Sequence, residues 1–134
     1  MIQGLHHIGI AVRSIDDVLP RYVDQLGMTV DSVEEVPSEG VKVCVLMAGE
    51  TRVELLEPTD PGSPVARFLD KRGPGVHHLA YRVEDAGAVV RVLRGEEVPL
   101  IEPAPRPGAH GCTVAFIHPG HLQGTLVELV EDAP

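Results

Sequence analysis

The chain has 134 residues, 43% hydrophobic and 23% charged, with mean hydropathy +0.07 and formal net charge −9. That is the profile of a globular domain and it argues against disorder. The acidic balance and the 3% aromatic content argue against a nucleic-acid or anionic-membrane partner, and no run reaches the ~20 apolar residues of a membrane span.

The first predicted element is a strand over Leu5-His6-His7-Ile8-Gly9-Ile10-Ala11-Val12. Alternation places His6, Ile8, Ile10 and Val12 on one face, and His7, Gly9 and Ala11 on the other. The bulky face belongs under a helix, so His7 is the histidine that points across small neighbours into open space. A helix follows, with Ser14 or Asp17 as its cap, an apolar stripe of Val18, Tyr22, Val23 and Leu26, and Gly27 at its end. Pro20 suits a first turn only if Asp17 is the cap. Extended runs are expected near 28–35, 41–47 and 51–57. A Pro- and Gly-rich connector over about 59–75 holds a short helix from Pro64 to Arg72, capped by Ser63 and stopped by Gly73.

The same order then repeats. Val76-His77-His78-Leu79-Ala80-Tyr81-Arg82-Val83 matches the first strand and nominates His78 over His77. Asp85 caps a helix with Ala86, Val89, Val90 and Leu93 inward and Gly95 at its end, followed by extended runs near 98–101, 113–118 and 125–131. The expected fold class is α+β: two tandem βαβββ modules forming a cupped mixed sheet around one metal site. One domain spans 1–134, with module 1 at about 1–58 and module 2 at about 76–134. A unit of ~60 residues buries little surface alone, so the modules are expected to share a core.

Each module also carries a repeated glutamate, in Val53-Glu54-Leu55 and in Val127-Glu128-Leu129. A carboxylate between two residues that must be buried faces either solvent or the interior of a cup. Two imidazoles, His7 and His78, and two carboxylates, Glu54 and Glu128, make a donor set for one divalent metal such as Co, Zn, Mn or Ni, and are too rich in nitrogen for a dedicated Mg or Ca site. Such an ion polarises a carbonyl and stabilises an enolate. Cys44 and Cys112 form no close-spaced metal pattern. The first residues lack the basic and apolar regions of a secretory signal, so reduced thiols and a cytoplasmic location are expected.

Several stretches make the chain resemble the vicinal oxygen chelate superfamily: His7-Ile-Gly-Ile-Ala-Val, Leu26-Gly27, Val53-Glu-Leu-Leu-Glu-Pro58 and Gly75-Val-His-His-Leu-Ala80. More narrowly it resembles the methylmalonyl-CoA epimerase family. The marks are Ser63-Pro64 before Phe68-Leu69, Pro105-Arg106-Pro107-Gly108-Ala109-His110-Gly111, Ala115-Phe116-Ile117-His118-Pro119 and Gly124-Thr125-Leu126-Val127-Glu128-Leu129. The resemblance implies a homodimer, an acyl-CoA thioester substrate, metal ligands at His7, Glu54, His78 and Glu128, and epimerisation at C2 of methylmalonyl-CoA. It also implies that Glu128 serves as an acid/base. The family often has Gln at the place of Glu54. Some members carry an acid/base glutamate where this chain has Val43, so the second proton-transfer group is unassigned, with Glu54 or a water as candidates. Arg67, Lys71, Arg72 and Arg106 are the cations available to the CoA moiety, and His110 and His118 either close over substrate or shape a turn. The alternatives are a glyoxalase-type lyase, a non-catalytic small-molecule-binding protein of the same superfamily, and an extradiol dioxygenase. Fold alone does not separate these.

Overall fold

Serine or aspartate begins each α-helix of the computed structural model, which describes residues 1–134. In α1 (Ile15–Pro20) the Ser14 hydroxyl accepts from the Asp17 N–H, in α2 (Pro64–Arg72) Ser63 accepts from Ala66, and in α3 (Ala86–Gly95) Asp85 accepts from Ala88. With Ser14 as cap, Pro20 lies inside the helix rather than in its first turn. Pro20 has no N–H to donate, and the chain beyond it loosens into a wider turn over Arg21–Gln25, where the Leu26 N–H reaches the Arg21 carbonyl. That change of pitch rotates Leu26 outward to 70% exposure, contrary to its expected place in the buried stripe. Val18, Tyr22 and Val23 do pack inward, joined by Leu19.

Eight strands complete the chain: β1 (Ile2–Ala11), β2 (Thr29–Val36), β3 (Val41–Ala48), β4 (Thr51–Pro58), β5 (Gly75–Val83), β6 (Leu100–Pro107), β7 (Thr113–Ile117) and β8 (Val127–Glu131). With the helices they give the expected α+β class and the order βαβββ twice. Two compact units result, residues 7–77 and residues 1–6 with 78–134. The connector therefore folds with the first module.

In the unit 7–77 the strand order is β2-β3-β4-β1, with β1 parallel to β4 and the other pairs antiparallel. Val12, Ile15, Cys44, Leu46, Val53 and Leu55 form its core under α1. In the second unit the order is β5-β8-β7-β6, with β5 parallel to β8. Val83, Ala86, Val89, Ile117, Val127 and Leu129 form the equivalent core under α3. β6 extends through Pro103, Pro105 and Pro107, well past the expected end at Ile101. It pairs with β7 at both ends and shifts register between Ile101 and Arg106. Its edge position makes this tolerable, since prolines there withhold no ladder donor from an inner strand.

The second glutamate of each repeated segment ties sheet to helix. Glu57 Oε1 accepts from the Ile15 N–H at 2.7 Å, and Glu131 Oε1 accepts from the Ala86 N–H at 2.8 Å. Each carboxylate satisfies a first-turn donor and sits at the positive end of its helix. Glu57→Ala and Glu131→Ala are each expected to lower the unfolding free energy by ~1–2 kcal/mol in urea titrations. Glu50→Ala, an exposed control, should change it by less than ~0.5 kcal/mol. Unaltered midpoints in both cap variants would contradict this role.

Candidate metal centre

The strand pattern that buries Val53 and Leu55 under α1 turns Glu54 to the opposite face. There it pairs in register with Gly9 of β1 and Val45 of β3. Glu54 is 5% exposed and His7 is 4% exposed, and His7 Nδ1 lies 3.2 Å from Glu54 Oε2. The second unit repeats the arrangement. Val127 and Leu129 pack under α3, while Glu128 pairs with Ala80 of β5 and Phe116 of β7. His78 Nε2 lies 3.2 Å from Glu128 Oε1, and both residues are buried.

The donors in each pair suit a divalent ion. Metal–ligand bonds of ~2.0–2.2 Å to imidazole and carboxylate place those donor atoms roughly 2.9–3.4 Å apart, which brackets the 3.2 Å found in both pairs. The cross-strand neighbours of the two glutamates are small or apolar: Gly9 and Val45 in one unit, Ala80 and Phe116 in the other. The Phe116 ring meets His78 edge-on at 6.1 Å, and the Arg106 guanidinium lies over the same ring, 4.9 Å from its centroid.

The rejected histidines have packing roles. The His77 ring meets Phe68 edge-on at 5.0 Å. His6 is buried, and its Nε2 is 2.9 Å from Asp132 Oδ1. Arg82 Nε donates to the other oxygen of Asp132 at 2.7 Å, and this guanidinium, more than any other cause, holds the Asp132 carboxyl below the usual carboxylate range. Nothing in the local sequence announces the 6–132 contact; the signal is only that Asp132 continues β8.

Of the remaining cations, Arg67 donates to the Gly62 carbonyl and Arg72 lies over Phe68. His118 Nδ1 accepts from the Gly120 N–H, and so shapes a turn. His110 adopts a left-handed backbone, φ 57°, in the short turn Ala109–Gly111. Val43 is 3% exposed and pairs with Leu56, on the same face of the sheet as Glu54.

Comparison with known proteins agrees with this geometry. The family profile described as the glyoxalase/bleomycin resistance protein/dioxygenase superfamily matches residues 6–116. An ethylmalonyl-CoA/methylmalonyl-CoA epimerase of Cereibacter sphaeroides is 40% identical over 132 residues, covering 96% of this chain and 98% of the relative. The crystal structure of methylmalonyl-CoA epimerase from Mycobacterium tuberculosis superposes with a TM-score of 0.94 at 40% identity, covering 99% of this chain and 90% of that one. A variant of the Streptomyces coelicolor methylmalonyl-CoA epimerase, solved in complex with 2-nitronate-propionyl-CoA, has a TM-score of 0.93 at 32% identity, with both chains covered in full. The chain therefore belongs to the methylmalonyl-CoA epimerase family within the glyoxalase/bleomycin resistance protein/dioxygenase superfamily.

Proposed function

We propose that this protein interconverts the 2R and 2S configurations of methylmalonyl-CoA, and that His7, Glu54, His78 and Glu128 together hold one divalent ion of the Co, Zn, Mn or Ni class. The observation that carries the reading is the repeated, buried His–Glu pair, 3.2 Å in each module, in a chain that aligns almost end to end with epimerases.

The C2 proton of the substrate lies between a thioester and a carboxylate, so its removal leaves an enolate. A bound divalent ion would supply positive charge to the oxygens on which that charge develops. Glu128 is the acid/base on one face of C2. Ala80 and Phe116 beside it keep water away, which strengthens its electrostatic interactions with substrate. Arg106, stacked on Phe116, offers a cation to the substrate carboxylate or to the CoA phosphates. Inversion also needs a proton delivered on the opposite face. Val43 has no proton to give, which leaves Glu54, whose cross-strand partner is Val45 on the Val43 face, or a water. No helix is long and apolar enough to cross a membrane. We read the working form as a cytoplasmic homodimer, supported by the family resemblance and by the exposed apolar residues Ile2 and Leu5.

Two outcomes test this reading. One tight equivalent of divalent ion per chain is expected, lost in His7→Ala and in His78→Ala and kept in His77→Ala. A His7→Ala/His78→Ala double variant that still holds an equivalent as tightly as the parent chain, by metal analysis after exhaustive dialysis, would remove these residues as ligands.

Glu128→Gln keeps an oxygen donor and loses the base, so inversion should fall ~10²–10⁴-fold while the metal stays bound. Near-normal inversion by this variant, followed from enantiopure 2R or 2S substrate, would leave Glu128 as a ligand only. The same assay on Glu54→Gln decides the opposite face. A comparable loss assigns that face to Glu54, and retained inversion assigns it to water.

A further inference from the structure

A second cluster of metal-ligating side chains lies in the unit formed by residues 1–6 and 78–134. His6, Cys112 and Asp132 each present one donor atom, and the three atoms lie within 4.8 Å of one another. The last β7–β8 pair is Thr113 with Glu131, so Cys112 and Asp132 are the next residues outward on the two strands. The turn before Cys112 supports this approach. Gly111 has φ +72°, and a β-carbon there would meet Ala133 at 3.4 Å. Cys112 is also fixed by its backbone, which donates from N–H to the Ala109 carbonyl and accepts from the Gly108 N–H. His6 is 5% exposed and Cys112 is 8% exposed, whereas the Asp132 side chain is half open to solvent. Cys112 also lines a pocket of about 390 Å³ with Pro105, Arg106, Pro107, Gly111 and Thr113.

We propose that His6, Cys112 and Asp132 form a second cation site, selective for thiophilic divalent ions of the Zn, Co and Cd kind. A tetrahedral ion with bonds of ~2.0–2.3 Å spaces its ligands roughly 3.3–3.6 Å apart. The existing contact of 2.9 Å between His6 and Asp132 needs only a small opening to reach that spacing. The thiol proton leaves to solvent as the thiolate forms, neutral His6 offers a ring nitrogen, and Asp132 offers Oδ1. Arg82 already grips Oδ2 at 2.7 Å and so orients the carboxylate with Oδ1 toward His6. The fourth position is open to water. A soft sulfur donor excludes Mg, Ca and Mn. The nearby guanidinium weakens the attraction for any cation, so this site fills after the His7/Glu54/His78/Glu128 set. Glu128 and Asp132 are four residues apart, roughly 13 Å along extended chain, with Val130 between them. These two carboxylates therefore do not serve one ion.

Titration of the full chain with Co(II), followed by absorption and by equilibrium dialysis, tests the proposal. A second equivalent should bind with a thiolate-to-Co(II) charge-transfer band in the near ultraviolet. Cys112→Ser should abolish the band and the second equivalent while keeping the first. Asp132→Asn, at a surface position that does not threaten folding, should weaken the second equivalent at least tenfold. Cys44→Ser should retain the band. His7→Ala/His78→Ala should lose the first equivalent and keep the band, so failure at one site is told apart from failure at the other. Absence of a thiolate band at saturating Co(II), or its survival in Cys112→Ser, would overturn the proposal.

Discussion

A carboxylate buried inside a protein needs a positive partner, and this fold buries two of them at equivalent places. Glu54 and Glu128 are 5% and 7% exposed. They stand there because the residues on either side of them in each strand are core residues under a helix, so the pleat leaves each glutamate no direction but the opposite face. Moving either to solvent would mean slipping a strand by one residue and exposing its apolar set. The cost of burying the charge is thus imposed by the same packing that stabilises each unit. An imidazole at 3.2 Å in each case shows how it is met in part. Two such pairs suit a divalent ion, whose charge two carboxylates neutralise.

The duplicated modules keep this common scheme but differ around it. In the first, Glu54 has only Gly9 and Val45 across from it, and Val43 lies on the same face. In the second, Glu128 pairs with Phe116, whose ring carries the Arg106 guanidinium and meets His78 edge-on. The second module therefore supplies an aromatic wall and a fixed cation, while the first supplies an aliphatic surface.

Much of this was legible in the sequence because it is local or repeated. Alternation around His7 and His78 and around Glu54 and Glu128 carries the face of each residue, and a duplicated pattern makes the coincidence informative. The caps Ser63 and Asp85 are read from short-range chemistry, and both hold. What was missed depends on competition or on distance. Ser14 and Asp17 were both credible caps for α1, and Ser14 prevails although this places Pro20 inside the helix; the resulting change of pitch is what exposes Leu26. β6 runs past the expected end at Ile101 through three prolines, because an edge position has no need of their missing donors. The roles of Glu57 and Glu131 are not written locally, because their targets at Ile15 and Ala86 lie more than forty residues away. The contact of His6 with Asp132 joins the two extremes of the described chain and leaves no periodic trace.

The most direct test of the account is deuterium incorporation at C2 of methylmalonyl-CoA in heavy water, with the same preparation stripped of metal and then reloaded. Metal-loaded protein should exchange the C2 proton, starting from either configuration, and invert it. Stripped protein should do neither, and reloading should restore both. Exchange and inversion at full rate by stripped protein would contradict the central claim that the paired His–Glu sites work through a shared divalent ion.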